Sequence, residues 1–174
     1  MGSALKLAES TVTLIESYIK TNIASALADV RTDRSDPQVT TEAPDHNSYF
    51  RFEMARAFRA PAIFTIIEDM NFNSPGGRTA NHINATCRLI VAAVVEDRDK
   101  TRLTTKTWRY QAALMKLLEQ TSLTSLDNKV KLFVRVSNAS FSAVVSTLRD
   151  EKAPEAVFRK EVALNLEVEH VENF

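Results

Sequence analysis

Ile83-Asn-Ala-Thr-Cys-Arg-Leu-Ile-Val-Ala-Ala-Val-Val-Glu96 decides the fold. One set of alternate positions reads Ile83, Ala85, Cys87, Leu89, Val91, Ala93 and Val95. The other set begins polar at Asn84, Thr86 and Arg88, then turns apolar at Ile90, Ala92 and Val94. A period of two over this length predicts a strand. The change along the second face predicts a strand covered on both sides over only part of its length. At about 3.3 Å per residue it would run roughly 45 Å, well beyond an ordinary strand.

Working towards the N-terminus, 62–71 is strand-like through Ile63, Phe64, Ile66 and Ile67. Asn73-Ser-Pro-Gly-Gly77 is a strong turn signal, so 61–96 reads as a strand pair with a protruding β-hairpin. The stretch 49–60 reads as a short helix or turn, since Pro61 disfavours helix at Ala60. Residues 31–48 are polar, with Pro37 and Pro44, and read as a loop. Before them, Leu5, Ala8, Val12, Ile15, Ile19, Ile23, Ala26 and Val30 recur at three- and four-residue steps. They predict an amphipathic helix over 4–30, about 40 Å long.

Towards the C-terminus, a charged turn precedes a helix over 99–120. Its stripe is Leu103, Thr107, Tyr110, Leu114 and Leu117, widened by Trp108, Ala112 and Met115. Asp99 or Thr101 is placed to cap it. Residues 129–171 hold a second strand pair. Val130, Leu132, Val134 and Val136 alternate with Lys129, Lys131 and Arg135, and 141–146 continues that strand after a kink. Val162, Leu164, Leu166 and Val168 alternate with Glu161, Asn165, Glu167 and Glu169. The fold class is therefore α+β within a single domain, 1–174. A mainly antiparallel twisted sheet of about four or five strands packs with two main helices in the order α-β-β-α-β-β.

Lys plus Arg equals Asp plus Glu, 22 each, so no bulk charge points to nucleic acid or an acidic membrane. Locally the balance shifts. Residues 98–116 carry Arg98, Lys100, Arg102, Lys106, Arg109 and Lys116 against Asp99, whereas 150–174 is predominantly acidic. These are either two solvated faces or opposite patches that meet between neighbouring copies. With the hairpin tip, they nominate Asn73, Arg78, Arg98, Lys100, Arg102, Glu161, Glu167 and Glu169 as a subunit or partner interface. Strands this long offer edges to another chain.

Catalytic chemistry finds little footing. His46 belongs to a solvated loop, and His170, among acids near the end of the sequence, reads as surface. His82 and Cys87 are five apart, so a strand sends them to opposite faces, where they cannot share a metal. Cys87, the single cysteine, reads as a small buried hydrophobe, and Trp108 as core. Asp97 and Asp99 fit turn and capping chemistry. Asn84-Ala-Thr and Asn138-Ala-Ser match the glycosylation pattern by chance, since no secretion signal is expected. Gly76-Gly77 lacks the Lys and helix start of a phosphate loop. Arg88, Lys131 and Arg135 lie on outward strand faces, where solvation competes with polyanion binding. No metal, cofactor, catalytic residue or membrane helix is expected.

The segments Pro61-Ala-Ile-Phe-Thr-Ile-Ile67, Cys87-Arg-Leu-Ile-Val-Ala-Ala-Val-Val95, Trp108-Arg-Tyr-Gln-Ala-Ala-Leu114 and Phe158-Arg-Lys-Glu-Val-Ala-Leu-Asn-Leu-Glu-Val168 stand in a telling order. That order resembles the tail terminator and tail-completion proteins of long-tailed bacteriophages. The resemblance covers most of the chain and lies in pattern rather than in invariant residues. It implies a structural virion protein of the tail or neck, assembled in the host cytoplasm into a homohexamer ring. The ring would cap the tail tube protein's last layer, stop its polymerisation and dock a head-side connector or stopper protein. DNA would pass through the lumen without specific binding, so the lumen should be poor in clustered Lys and Arg. Another neck component, a head-completion or stopper protein, is the alternative within that class. A non-viral protein-binding adaptor domain, or an enzyme built from scattered residues, are the alternatives outside it.

Overall fold

A computed structural model of the chain describes residues 6–34, 39–51, 58–72, 82–147 and 155–173. Helix α1, Leu7–Thr32, buries Leu7, Val12, Ile15, Ile19, Ile23, Ala26, Leu27 and Val30. The stripe read from spacing holds from Val12 to Val30 and gains Leu7, Thr11 and Leu27, while Ala8 is only partly buried and Leu5 lies outside the described residues. Three strands follow: β1 at Tyr49–Phe50, β2 at Ala62–Phe72 and β3 at His82–Asp97. Helix α2 spans Lys100–Leu118, and Asp99 is its N-cap, its side chain accepting from the Arg102 backbone N–H. The remaining strands are β4 at Thr121–Thr124, β5 at Val130–Phe141, β6 at Val145–Ser146 and β7 at Phe158–Asn173.

These strands form one sheet in the order β1-β2-β3-β7-β5-β4, with β6 also paired to β7. Only β1 and β2 pair in parallel. The α+β class and the two helices agree with expectation. The strand count does not: seven strands replace four or five. Three of them are only two to four residues long, too short for alternation to register. The order α-β-β-α-β-β therefore describes the four long strands alone. The tip of the expected hairpin, with Asn73 and Arg78, lies outside the described residues.

Both helices pack on one face of the sheet. Cys87, Leu89, Val91, Ala93 and Val95 of β3 and Val162, Leu164, Leu166 and Val168 of β7 form the core with them. Burying each large aliphatic side chain contributes about 1.5–3 kcal/mol, set against the conformational entropy of ordering the chain. In α2 the buried stripe is the expected one, but it widens through Arg109, Ala113 and Leu118. Trp108, read as core, is 49% exposed. At 100° per residue it stands on the flank away from Tyr110 and Leu114.

Beyond α1, the described part of the expected loop, 39–48, carries neither helix nor strand. The Arg109 guanidinium, fully buried, donates to the Val39 carbonyl, and the Tyr110 hydroxyl donates to the Glu42 carbonyl. The polar segment is held against α2 by backbone acceptors, which composition does not reveal. Beyond it, 49–50 is strand rather than helix or turn, because Tyr49 and Phe50 lie beside Ile63 and Phe64.

Candidate interaction surface

The face of the sheet opposite the helices divides in two. Its apolar half holds Ala62, Phe64, Ala92 and Val94, buried under Phe50 and Phe58. The Phe50 and Phe64 rings stack at 5.1 Å, and Phe58 meets Phe64 edge-on at 5.2 Å. Arg159 lies over the Phe58 ring at 4.6 Å. Its guanidinium is held by Glu96, with Nε and Nη2 at 2.8 and 2.5 Å from Oε1. Beside this cap an open groove of about 410 Å³ remains, floored by Ile66, Ile90, Ala92 and Ala163 and rimmed by Arg159 and Glu161. The transition expected along β3 is therefore real: Ala92 and Val94 are covered, Ile90 only in part.

The other half is charged and ordered in rows. Register places Asp69, Arg88, Glu167 and Arg135 side by side across β2, β3, β7 and β5. Signs alternate along that row, and Asp69 and Arg88 approach to 3.7 Å. The next row carries Thr86, Glu169 and Phe133, the last 49% exposed. Arg88, Lys131 and Arg135 do point outward, but acidic side chains separate Arg88 from Arg135. A polyanion would meet alternating charge here rather than a basic stripe.

The expected interface residues are dispersed. Arg102 binds Asp97, with Nε at 2.9 and 2.7 Å from its two oxygens and Nη2 at 2.6 Å from Oδ1. Lys106 joins the same carboxylate at 2.7 Å. Lys100 lies over the Phe158 ring at 4.5 Å. Arg98 stands exposed in the bend before α2. Glu161 is at the groove rim, at the same end of the sheet as the basic residues. Glu167 and Glu169 are exposed on the charged half, roughly 20 Å further along β7.

Asp97 is more than a turn residue. Its side chain is 4% exposed, and the Asp99 backbone N–H also donates to it at 2.9 Å. Burial by itself raises this carboxyl. Hydrogen bonds from Arg102, Lys106 and the Asp99 N–H outweigh it and hold the group well below the usual carboxylate range.

His170 overturns the surface reading. It is fully buried, with Nδ1 2.7 Å from Thr11 Oγ1 of α1. The alternation Val162, Leu164, Leu166, Val168 sends position 170 to the helix side, so periodicity held the answer and the acidic neighbours obscured it. Burial pushes its imidazole down to about 4. Nearby, burial raises the Glu172 carboxyl, and the Asp127 charge adds to the shift. Cys87 is buried as expected, its thiol pushed up to about 11 by burial. Such a thiol is inert packing rather than a nucleophile.

Among the described residues no group of three or more His, Cys, Asp or Glu is placed to hold a metal ion. No described helix is long and apolar enough to cross a membrane.

No protein-family model matches the chain. No curated protein matches it either. Among solved structures, a chain from the virion of a native gene transfer agent particle shares 11% identity, over 84% of this chain and 93% of that one, at a TM-score of 0.30. A second solved chain, of unstated function, shares 15% identity over 87% of this chain and 94% of its own, at 0.33. Superpositions this loose decide neither fold nor function, so the surface itself must carry the reading.

Proposed function

We propose that this protein is a structural virion component that assembles through its sheet into a ring closing the end of a phage-like tail tube. The observation that carries the reading is the divided open face. Among the described residues an apolar groove lies open beside ordered charge, and Phe133 and Val145 stand 49% and 58% exposed. An apolar surface rimmed by polar groups marks a protein partner. The sequence resemblance supplies the class of partner: other copies of this chain, the tail tube protein, and a head-side connector or stopper protein. A ring needs two different patches per protomer, related by a rotation that closes. Each interface should bury at least about 1,000 Å². The role is architectural, through edges and faces, rather than catalytic. The charged half of the open face alternates in sign, which suits a wall past which DNA slides without being gripped.

The test is electron microscopy of the purified protein with tail tubes, together with its mass in solution. The reading expects density at one end of each tube and growth that stops there. Decoration along the tube side would refute it.

A further inference from the structure

We propose that neighbouring copies join edge to edge, β5 of one protomer against β2 of the next, so that the sheet continues across the interface. The proposal rests on the ring reading and specifies its contact.

The sheet ends on two unlike edges that its own strands leave largely open. On one side β1 pairs only with Ile63 and Phe64, so among the described residues no strand lies outside 65–72. On the other side β4 pairs only with 131–134, so among the described residues 135–141 of β5 has no outer strand. An uncovered edge of this kind is a template for another strand.

Direction and backbone parity agree on how the edges meet, and the rows match once one residue is bulged out of each strand, Glu68 of β2 and Ser137 of β5. Three antiparallel pairings separate β2 from β5, so the two strands run in opposite directions. Rotation about an axis along the strands preserves direction. It therefore brings β5 against the next copy's β2 antiparallel, with the helices kept on one side. Followed across β3 and β7, the rows put Thr65, Ile67 and Asp69 level with Ala139, Val136 and Arg135. The Ile63 N–H points out of the sheet edge to the Ser48 carbonyl at 2.9 Å, so by alternation the Ile67 backbone also points out. The Val136 N–H points out as well, donating to Glu119 Oε2 at 2.9 Å. Level joining thus sets two outward-facing residues opposite each other, as a hydrogen-bonded antiparallel pair requires.

Side chains complete the match. The row Asp69, Arg88, Glu167, Arg135 alternates in sign and ends basic. The next copy's Asp69 would extend it without a break. On the helix side Val136 would lie beside the next copy's Ile67, apolar against apolar. Glu119 caps the outward Val136 N–H in the free protomer, and it must swing aside for the ladder to form.

The test is a cysteine pair, Asp69→Cys with Arg135→Cys, oxidised in the full chain. Opposed residues in a non-hydrogen-bonded antiparallel pair have Cα atoms about 4.5 Å apart, within disulfide reach. Within one protomer the two positions are three strand spacings apart, roughly 14 Å, so no internal bridge can form. The proposal expects a ladder of covalent oligomers. Asp69→Cys with Lys131→Cys, four rows out of register and behind β4, should give none. Glu119→Ala should shift assembly to lower concentration, and Arg135→Glu should shift it about tenfold higher, as like charges replace the cross-strand pair. A ring mass in solution with no ladder overturns this contact and leaves the ring standing. A monomer at every concentration, for the parent chain and Glu119→Ala alike, overturns both.

Discussion

Thr11 and His170 lie 159 positions apart in the chain, yet Thr11 Oγ1 and His170 Nδ1 are 2.7 Å apart beneath α1. The Thr11 hydroxyl spends its only proton on the Leu7 carbonyl at 2.8 Å. With that proton on the Leu7 carbonyl, Nδ1–H donates to Oγ1 and the neutral ring keeps its lone pair at Nε2. Nε2 faces Glu172 Oε2 at 3.6 Å and makes no hydrogen bond among the described residues. One contact thus pins the helix to the last strand.

Stability should therefore fall as acid reaches this ring. The folded imidazole sits at about 4, below its ordinary value of 6.5. Between those values the unfolded chain binds more protons, so stability is full above about pH 6.5 and is lost as pH falls towards 4. Thr11, Glu172, Ala85 and Leu132 surround the ring through packing or register, and only Glu172 among them titrates. Its raised carboxyl takes up a proton in the same range and offsets part of the loss. His170→Phe should flatten this limb of a urea-melt series against pH. Thr11→Val should cost about 1–3 kcal/mol at pH 7 by orphaning the Nδ1 proton. An unchanged acid limb in His170→Phe would assign the loss to other groups.

Asp97 should be the most costly charged residue to remove. Asp97→Ala strips Arg102 and Lys106 of their shared carboxylate and leaves the Asp99 N–H unmatched at the start of α2. Lys106, 21% exposed, and the Asp99 N–H lose their acceptor, which places the cost at about 1–3 kcal/mol, with exposed Arg102 adding little. The native carboxyl is depressed, so its contribution is present above its ordinary range and disappears as pH falls below it. Denaturant midpoints for Asp97→Ala and the parent should converge at low pH. Parallel curves down to strong acid would contradict the assignment.

The turn between β4 and β5 should depend on Asn128. Its φ is 57°, its N–H bonds the Ser125 carbonyl at 2.9 Å, and the Asp127 carboxylate accepts from the Lys129 N–H at 3.1 Å. Asn tolerates the left-handed region better than a branched residue does. Asn128→Gly should be close to neutral, and Asn128→Val should cost about 1–2 kcal/mol in thermal or urea melts. Equal stabilities would mean that the turn relaxes without cost.

The helices and long strands were legible because each repeats a period over many residues. Val12, Ile15, Ile19 and Ile23 speak for α1, and β3 and β7 declare both faces by alternation. The edge strands were not. Tyr49 and Phe50 acquire strand geometry only beside Ile63 and Phe64, and Thr121–Thr124 only beside Lys131–Val134. Asp127-Asn128 ahead of an alternating run was a usable hairpin signal for β4. Arg102 read as free interface charge because sequence spacing does not disclose that Asp97 turns back to meet it.

By itself, then, the sequence determined two helices, four long strands and the change of face along β3. Local stereochemistry and burial act on every residue in turn, and periodicity records them. Tertiary structure alone decided which strands became neighbours, that Thr11 would meet His170, and that the row from Asp69 to Arg135 would alternate in charge. Those depend on strand order and register, which are set by packing between segments far apart in the chain and leave no periodic mark within any one of them.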